Sequence, residues 1–261
     1  MTKKVGIFDS GVGGITVLRE ALMLAPELEY VYYTDNLNVP YGIKTKEQVK
    51  GYVQHIIDVM MAEKVDAIVI ACNTATCITV KELRARYSIP IIGMEPAVKP
   101  AIEGSPKGKI IVTATPLTLT TEKFHNLVAK VDMEHRTLPL PLPELVTIAE
   151  HKEFSKDKIY EYFKQKLAPY NLEEVSGIVL GCTHFVYFRK YLENMLPKHI
   201  TIYDGNEGTI RHLKECLNIN NGINEAASLD INSIDDSKIT FYYSDKKCEN
   251  LDILKGYLAC I

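Results

Sequence analysis

The chain contains nearly the same phrase twice: residues 68–76 read "IVIACNTAT" and residues 178–186 read "IVLGCTHFV". In each copy a β-branched run predicts a buried strand, and a cysteine followed by polar residues stands where that strand ends. Two copies of one strand-and-loop unit predict two related halves within a single chain. This repeat constrains the fold more than any other feature of the sequence.

Short β-branched runs alternate with amphipathic stretches along most of the chain. This alternation predicts parallel strands covered by helices, and therefore an α/β fold. The stretches at 46–64 and 80–87 have the periodicity of helices. The predicted strands are residues 4–9, 29–35, 65–71, 89–94, 108–115, 177–181 and 199–204.

The likeness between the halves extends beyond the cysteine phrases. Residues 4–14 and 108–118 each run from a strand into a turn of small residues, and 89–101 and 200–212 each run from a strand into a helix-opening loop. Any α/β protein repeats strand-loop-helix units, but here the loops also match in position and chemistry. We therefore predict a duplication, with two pseudo-symmetric lobes near 1–98 and 99–208.

The sequence changes character after residue 208. Residues 218–238 are rich in Asn, Asp and Ser and predict a long loop, whereas 239–245 predict a last strand before a short helix. We expect this tail to pack on the first lobe. The expected domains are therefore 1–98 plus 209–261, and 99–208, which suits a chain of 261 residues.

Charge and hydropathy argue against two classes of partner. The formal charge of -3 and the lack of a local basic patch do not favour binding to nucleic acid or to an anionic membrane surface. No stretch approaches the roughly 18 consecutive apolar residues of a membrane span. The N-terminus runs directly into a strand without the apolar segment of a secretory signal, so we expect a cytoplasmic protein.

The cysteines are expected to be free thiols in that compartment. There is no CxxC pair, and Cys72 and Cys77 lack a histidine pair at zinc-finger spacing, so neither a redox dithiol nor a bound metal is predicted. A thiol phosphatase would need an arginine at a fixed position after its cysteine. Ile78 stands there after Cys72, and Arg189 lies one position too far from Cys182. Cys77, beside apolar neighbours, is expected to lie in the core.

Loops that follow the carboxyl ends of parallel strands are the usual ligand sites of such folds. The loop "DSGVGG" (9–14) places Asp9 and Ser10 at a strand end before three glycines. It is not a dinucleotide fingerprint, because Thr16 stands at the third glycine position, and it lacks the P-loop lysine. Its backbone N–H groups suit a small anion such as a carboxylate. The alternative is a tight turn with Ser10 as a helix cap.

Cys72 and Cys182 each stand between a strand and the start of a helix. There the positive end of the helix dipole favours the thiolate, which makes the thiol a base or nucleophile near neutral pH. A single cysteine of this kind is more often a small buried hydrophobe, and a Cys–His nucleophile pair with His184 would leave the second cysteine loop unexplained. Two equivalent thiols facing each other across an interlobe cleft are the acid/base pair that a cofactor-free racemase needs.

Four segments carry a resemblance to a known family: "GIFDSGVGGITVLRE" (6–20), "VPYG" (39–42), "ACNTAT" (71–76) and "GCTHF" (181–185). In this order and at this spacing they resemble the glutamate racemases of the aspartate/glutamate racemase family. The resemblance implies two α/β lobes related by a pseudo-twofold axis, with the active site in the cleft between them, and a homodimer. It also implies racemisation of L-glutamate to D-glutamate for peptidoglycan synthesis, without pyridoxal phosphate, metal or nucleotide.

The resemblance also implies roles for individual residues. Cys72 and Cys182 would be the two proton donor/acceptors, with Asp9 and His184 tuning them. Placing "LPELVTIAE" (142–150) on the family's Pro-containing segment makes Glu150 the carboxylate that joins His184, although Leu stands where the family commonly has Cys. The substrate contacts implied are Asp9, Ser10, Pro40, Tyr41, Gly42, Asn73, Thr74, Thr115, Thr118, Thr183 and His184.

Two of these substrate contacts rest on a weaker match. "TATPLT" (113–118) departs from the Gly-Thr opening of the family, and Thr115 and Thr118 can equally serve as helix caps. Two rival functions also stay open. An aspartate racemase, or another acid isomerase on this scaffold, would differ in pocket depth rather than in its thiols. A two-lobed binding or regulatory protein would have the cleft without turnover, although the presence of both cysteines argues against it.

Overall fold

The computed structural model describes residues 2–219 and 229–261 of the chain. These residues form two largely parallel sheets flanked by helices, which confirms the predicted α/β class. Among them, no helix is both long and apolar enough to cross a membrane.

The first sheet has the strand order β10-β9-β2-β1-β3-β4, with strands numbered along the chain. Its neighbours run parallel except for the short β10, which pairs antiparallel with β9. The bounds are β1 Lys4–Asp9, β2 Glu29–Thr34, β3 Ala67–Ile70, β4 Ile91–Gly93, β9 Ile239–Tyr243 and β10 Lys246–Lys247.

The second sheet has the order β6-β5-β7-β8 and is parallel throughout. In each sheet, therefore, the first strand of the half lies between the second and the third, and the fourth follows the third. This identical order confirms that the halves are related in topology. The bounds are β5 Lys109–Ala114, β6 Thr137–Pro141, β7 Val175–Leu180 and β8 Thr201–Tyr203.

Every strand predicted from the sequence forms, but β6 and the two-residue β10 were not predicted. The β6 sequence TLPLP contains Pro139 and Pro141, which cannot donate a ladder hydrogen bond. Such residues are tolerated on an edge strand, and β6 is the edge of its sheet, paired only with β5. The repeat could have indicated this strand. In the second half β6 occupies the position that β2 occupies in the first, and a duplicated unit requires a strand there.

Helices cover the sheets and bury their apolar faces against them. The longest, α2, begins with a capping box in which Thr45 and Gln48 exchange side-chain and backbone hydrogen bonds. The helices are α1 Ile15–Leu24, α2 Lys46–Ala62, α3 Asn73–Arg86, α4 Val98–Gly104, α5 Pro116–Leu119, α6 Glu122–Val131, α7 Glu144–Glu150, α8 Lys156–Leu167, α9 Arg189–Met195, α10 Asn206–Cys216 and α11 Asp252–Leu258.

The tail after α10 rejoins the first half, as expected, because β9 pairs in parallel with β2 from Tyr30 opposite Ile239 onward. Part of the predicted loop at 218–238 lies outside the described residues, namely 220–228. Its described part contains two 3-10 turns, at Ile231–Ser233 and Asp236–Lys238. The predicted short helix after the last strand is α11.

Two glycines test how α2 packs on the first sheet. A Cβ at Gly6 of β1 would lie 2.6 Å from the sulfur of Met60, a buried residue of α2. A Cβ at Gly51, also on α2, would meet no atom within 4 Å. We expect Gly6→Ala to lower the free energy of unfolding by about 1–3 kcal/mol through overpacking. Gly51→Ala should raise it by about 0.5–1 kcal/mol through helix propensity. Urea unfolding measures both; equal effects of the two variants would contradict this packing.

Candidate active site

The carboxyl ends of the two sheets meet at one narrow cavity. Residues from both halves line it, and they include every predicted site residue except Asp9, Thr118 and Glu150, which lie directly behind the lining. The lining consists of Ser10, Pro40, Tyr41, Gly42, Cys72, Asn73, Thr74, Thr115, Val146, Gly181, Cys182, Thr183 and His184.

Cys72 lies at the N-cap of α3, between β3 and the helix. Its sulfur accepts a hydrogen bond from the Ala75 N–H at 3.4 Å and donates to the Ser10 hydroxyl at 3.4 Å. Burial, together with the negative charge of Asp9, raises the pKa of Cys72 and outweighs these contacts. Burial therefore opposes the thiolate that the helix terminus was predicted to favour at Cys72.

Cys182 occupies the equivalent place in the second half, before the 3-10 helix Thr183–Phe188. Its sulfur lies 3.7 Å from Nδ1 of His184, whose Nε2 lies 2.5 Å from Oε1 of Glu150. Burial alone would lower the pKa of His184, but its contacts with Cys182 and Glu150 raise it well above the ordinary value. The two cysteines thus have different surroundings: a histidine faces Cys182, and a hydroxyl and an amide face Cys72.

Glu150 is the last residue of α7 and reaches from the second half to two loops of the first. Its Oε1 accepts the Val12 N–H at 2.8 Å as well as facing His184, and its Oε2 accepts from the Asn36 side chain at 2.8 Å. The structure therefore brings Glu150 next to His184, where the resemblance placed it.

Asp9 is fully buried at the end of β1. Its Oδ2 accepts the N–H groups of Gly11 at 3.4 Å and Gly14 at 2.9 Å, and the hydroxyl of Thr183 at 3.2 Å from the opposite half. Burial raises the pKa of Asp9, although the positive charge of His184 and the Gly14 N–H act in the opposite direction.

The loop after β1 does not use its N–H groups as predicted. Those of Gly11, Val12 and Gly14 already bind the protein's own carboxylates, Asp9 and Glu150, rather than facing the cavity for an external anion. The Ser10 cap is also wrong: the helices that follow begin at N-cap residues without a side-chain cap, and the Ser10 hydroxyl instead accepts from Cys72.

Three threonine hydroxyls join the halves at one wall of the cavity. Thr74 of α3 lies 2.9 Å from both Thr115 and Thr118, which are 2.9 Å from each other. Thr115 also caps α5 by accepting the Thr118 N–H at 3.3 Å. Thr115 therefore caps a helix and also lines the cavity, whereas Thr118 lies behind it.

Two buried side chains keep unused hydrogen-bonding capacity next to the cavity. Within residues 2–219 and 229–261, neither Oδ1 nor Nδ2 of Asn73 has a partner, and Oδ1 of Asp9 has none. Unpaired buried polar atoms are rare in folded proteins, and at a cavity they indicate a place for a ligand. Tyr41 differs, because its hydroxyl donates to Asp35 at 2.6 Å.

The residues near the site that were not among the predicted site residues include Asp35, Asn36, Val146 and Gly181. Asp35 and Asn36 come directly after β2, and so carried the same strand-end signal as Asp9. Val146 had no such signal, because it is an ordinary apolar helix residue. The prediction that Cys77 lies in the core is wrong: it is half-buried and lines a separate groove between α3 and α6.

Comparison with known proteins connects this chain to one family. The sequence profile of the Asp/Glu/Hydantoin racemase family matches residues 16–213. A glutamate racemase of Halothermothrix orenii is 49% identical to this chain over 257 residues, covering 97% of this chain and 99% of that protein.

Solved structures agree with this relationship. A glutamate racemase isoform of Bacillus anthracis is 31% identical, with a TM-score of 0.76 over 83% of this chain and 82% of that one. The Escherichia coli glutamate racemase, solved with L-glutamate and the activator UDP-MurNAc-Ala, is 30% identical. Its TM-score is 0.75 over 88% of this chain and 87% of that one.

The contact between Glu150 and His184 leads to a prediction for Glu150→Gln, which keeps the shape of the side chain and removes its charge. We expect the pKa of His184 to fall, because a negative charge that favours the imidazolium is lost. NMR titration of the His184 ring measures this. An unchanged titration curve would contradict the assignment of Glu150 as a partner of His184.

The same variant should lose stability in a pH-dependent way. A raised histidine pKa contributes stability that is fully present below the unfolded value of about 6.5 and is lost as the pH rises through the folded pKa. The destabilisation by Glu150→Gln, about 1–3 kcal/mol, should therefore be larger at acidic than at alkaline pH. Urea unfolding of both proteins at acidic and at alkaline pH tests this pH dependence. A loss of stability that grows as the pH rises would contradict it.

Proposed function

This chain belongs to the Asp/Glu/Hydantoin racemase family, and we propose that it interconverts L- and D-glutamate with two cysteine thiols and no cofactor. It is an amino-acid racemase. Glutamate as the substrate is supported by the 49% identity to the Halothermothrix orenii glutamate racemase across nearly the full length of both proteins.

One observation carries the mechanism: Cys72 and Cys182 come from equivalent positions in the two halves and line the same cavity. A thiolate on one side of a bound substrate takes the Cα proton, and a thiol on the other side delivers a proton to the opposite face. One C–H bond breaks and another forms, so the configuration inverts and the total number of protons is unchanged.

The surroundings of the thiols suggest which one starts as the acid. Burial and the nearby Asp9 raise the pKa of Cys72, so Cys72 begins as the neutral thiol and donates. His184 faces Cys182 and can accept its proton, so Cys182 begins as the base. After one turnover the thiolate resides on Cys72, and the enzyme then either converts the opposite enantiomer or resets by proton exchange with solvent.

The unpaired atoms around the cavity suggest how the substrate is held. The side-chain amide of Asn73 offers its N–H donors to a carboxylate and its oxygen, as an acceptor, to the ammonium group. The hydroxyls of Ser10, Thr74 and Thr183 provide further partners. Asp9, with its free oxygen, supplies negative charge near the ammonium group. Because the cavity is narrow, substrate entry requires the lobes to separate at their threonine contacts.

The wider roles follow from the family and are also proposals. The D-glutamate formed would supply peptidoglycan synthesis in the cytoplasm, and the protein would act as a homodimer. The domains would be 1–98 plus 209–261, and 99–208, a division supported by the sheet to which each strand belongs. Within the described residues, no group of three His, Cys, Asp or Glu side chains is placed to hold a metal ion.

The two-thiol mechanism predicts the outcome of incubation with L-glutamate, and separately with D-glutamate, in D₂O without added cofactor. Optical activity should decay from both sides. Deuterium should enter the product enantiomer before it enters the remaining substrate, because different groups remove and deliver the proton. Cys72→Ser and Cys182→Ser should each lower kcat by about 10³-fold or more.

Cys77→Ser is the matched control, because Cys77 lies in a separate groove, and it should leave kcat unchanged. Activity in either Cys72→Ser or Cys182→Ser within tenfold of the wild-type protein would refute the mechanism. Racemisation of aspartate but not of glutamate would refute the proposal that glutamate is the substrate. If neither acid reacted, the rival of a binding protein without turnover would be favoured.

The unpaired Asn73 leads to a second prediction. Asn73→Ala should raise KM for glutamate by about tenfold to a hundredfold, the usual effect of losing a hydrogen bond to a charged group. Its free energy of unfolding should stay within about 1 kcal/mol of the wild-type value, because the side chain has no partner in the free protein. Steady-state kinetics and urea unfolding measure these, with Asn126→Ala of the exposed α6 surface as control. An unchanged KM would remove Asn73 from the substrate contacts.

A further inference from the structure

The C-terminal helix contacts the helix that carries Glu150 at its last residue. The final carbonyl groups of any helix lack partners within that helix. At the end of α7 the backbone carbonyl of Glu150 accepts the hydroxyl of Tyr257 at 2.6 Å. A residue far along the chain thus satisfies the backbone of the residue whose side chain faces His184.

Tyr257 is held firmly enough to act as an anchor. Its side chain is buried, and the ammonium group of Lys152 lies 4.1 Å from its ring centroid. Its ring also meets that of Tyr187 edge to face, with centroids 6.2 Å apart. Tyr187 belongs to the 3-10 helix that begins directly after Cys182.

These contacts close a ring of interactions around the histidine. The Tyr187 hydroxyl donates to the Val12 carbonyl at 3.0 Å, and the Val12 N–H donates to Glu150 at 2.8 Å. Tyr257 connects the remaining two members, since it binds the Glu150 backbone and packs on Tyr187. The C-terminal segment therefore contacts both second-half elements that flank His184.

We propose that Tyr257 is a positioning residue that fixes the end of α7, so that the Glu150 carboxylate meets His184 and thereby orients the ring beside Cys182. The proposal rests on the function proposed above. Tyr257 acts indirectly, because it does not line the cavity.

The hydroxyl matters because α7 is short. It spans Glu144–Glu150, so few intrahelical bonds hold its last turn against displacement. The side-chain bonds from Val12 and Asn36 restrain the Glu150 carboxylate, and Tyr257 restrains its backbone. Because Glu150 is held at both its side chain and its backbone, its carboxylate keeps the short contact with His184. Small displacements of catalytic groups have large effects on rate.

Tyr257→Phe tests the proposal, because it removes one oxygen and keeps the ring that packs on Tyr187. We expect kcat for glutamate to fall about tenfold while KM stays within about twofold, since orientation rather than substrate contact is lost. The matched control is Tyr242→Phe, on the tail strand β9. It removes a hydroxyl that donates to Glu63 at 2.7 Å. That control should lose a similar amount of stability and no activity.

A measurement on the free protein separates this proposal from the proposed function. His184 faces three ionisable groups, Cys182, Glu150 and Asp9, and its ring titration by NMR needs no substrate. Tyr257→Phe should shift this titration in the same direction as Glu150→Gln but by less, and Tyr242→Phe should not shift it.

An unchanged His184 titration in Tyr257→Phe, with only a lower melting temperature, would overturn the positioning role and leave Tyr257 as a packing residue. Unchanged kcat would overturn it as well. If the wild-type protein failed to racemise glutamate but the titration still shifted, the proposed substrate would fall while the coupling of Tyr257 to His184 stood.

Discussion

The buried carboxylate of Asp9 is the interaction on which the site depends. A carboxylate without solvent is expensive to bury unless hydrogen bonds compensate it. Here two backbone N–H groups of its own loop, from Gly11 and Gly14, and the hydroxyl of Thr183 from the other half bind one of its oxygens. The same charge raises the pKa of Cys72 and acts on His184. One side chain thus shapes the first loop, joins the halves and influences the groups beside both thiols.

The two halves share a strand order but not the chemistry around their cysteines. The backbone places Cys72 and Cys182 alike, each after the third strand of its half. The side chains then differ, because an imidazole with a carboxylate behind it faces Cys182, whereas Ser10 and a backbone amide face Cys72. A racemase that acts on two mirror-image substrates needs equivalent positions for its bases, and it needs the bases to hold different numbers of protons at any moment.

The sequence was sufficient for the class of fold and for the two related halves, and it placed both cysteine loops at the cavity because the strand ends of a parallel sheet converge at one edge. Most of the other lining residues came from the family resemblance. The sequence was insufficient where three-dimensional surroundings decide. β6 was missed because Pro139 and Pro141 read as a loop until the strand is known to lie at an edge. The burial that raises the pKa of Cys72 could not be predicted, because burial is a property of the whole fold. Glu150 came from family resemblance, and its contacts with Val12 and Asn36 join parts of the chain too distant for local patterns to connect.

The threonine triangle between the halves has a consequence for the separation of the lobes proposed above. The hydroxyls of Thr74, Thr115 and Thr118 each have one hydrogen to donate, so the three can form a closed ring of hydrogen bonds without solvent, in either direction. Withdrawing Thr74 leaves the other two bonded, with a single vacancy that one water molecule can fill at little enthalpic loss. Parting the halves here would therefore sacrifice little hydrogen bonding, because water would replace Thr74 at one side of the seam and would hydrate Thr74 at the other.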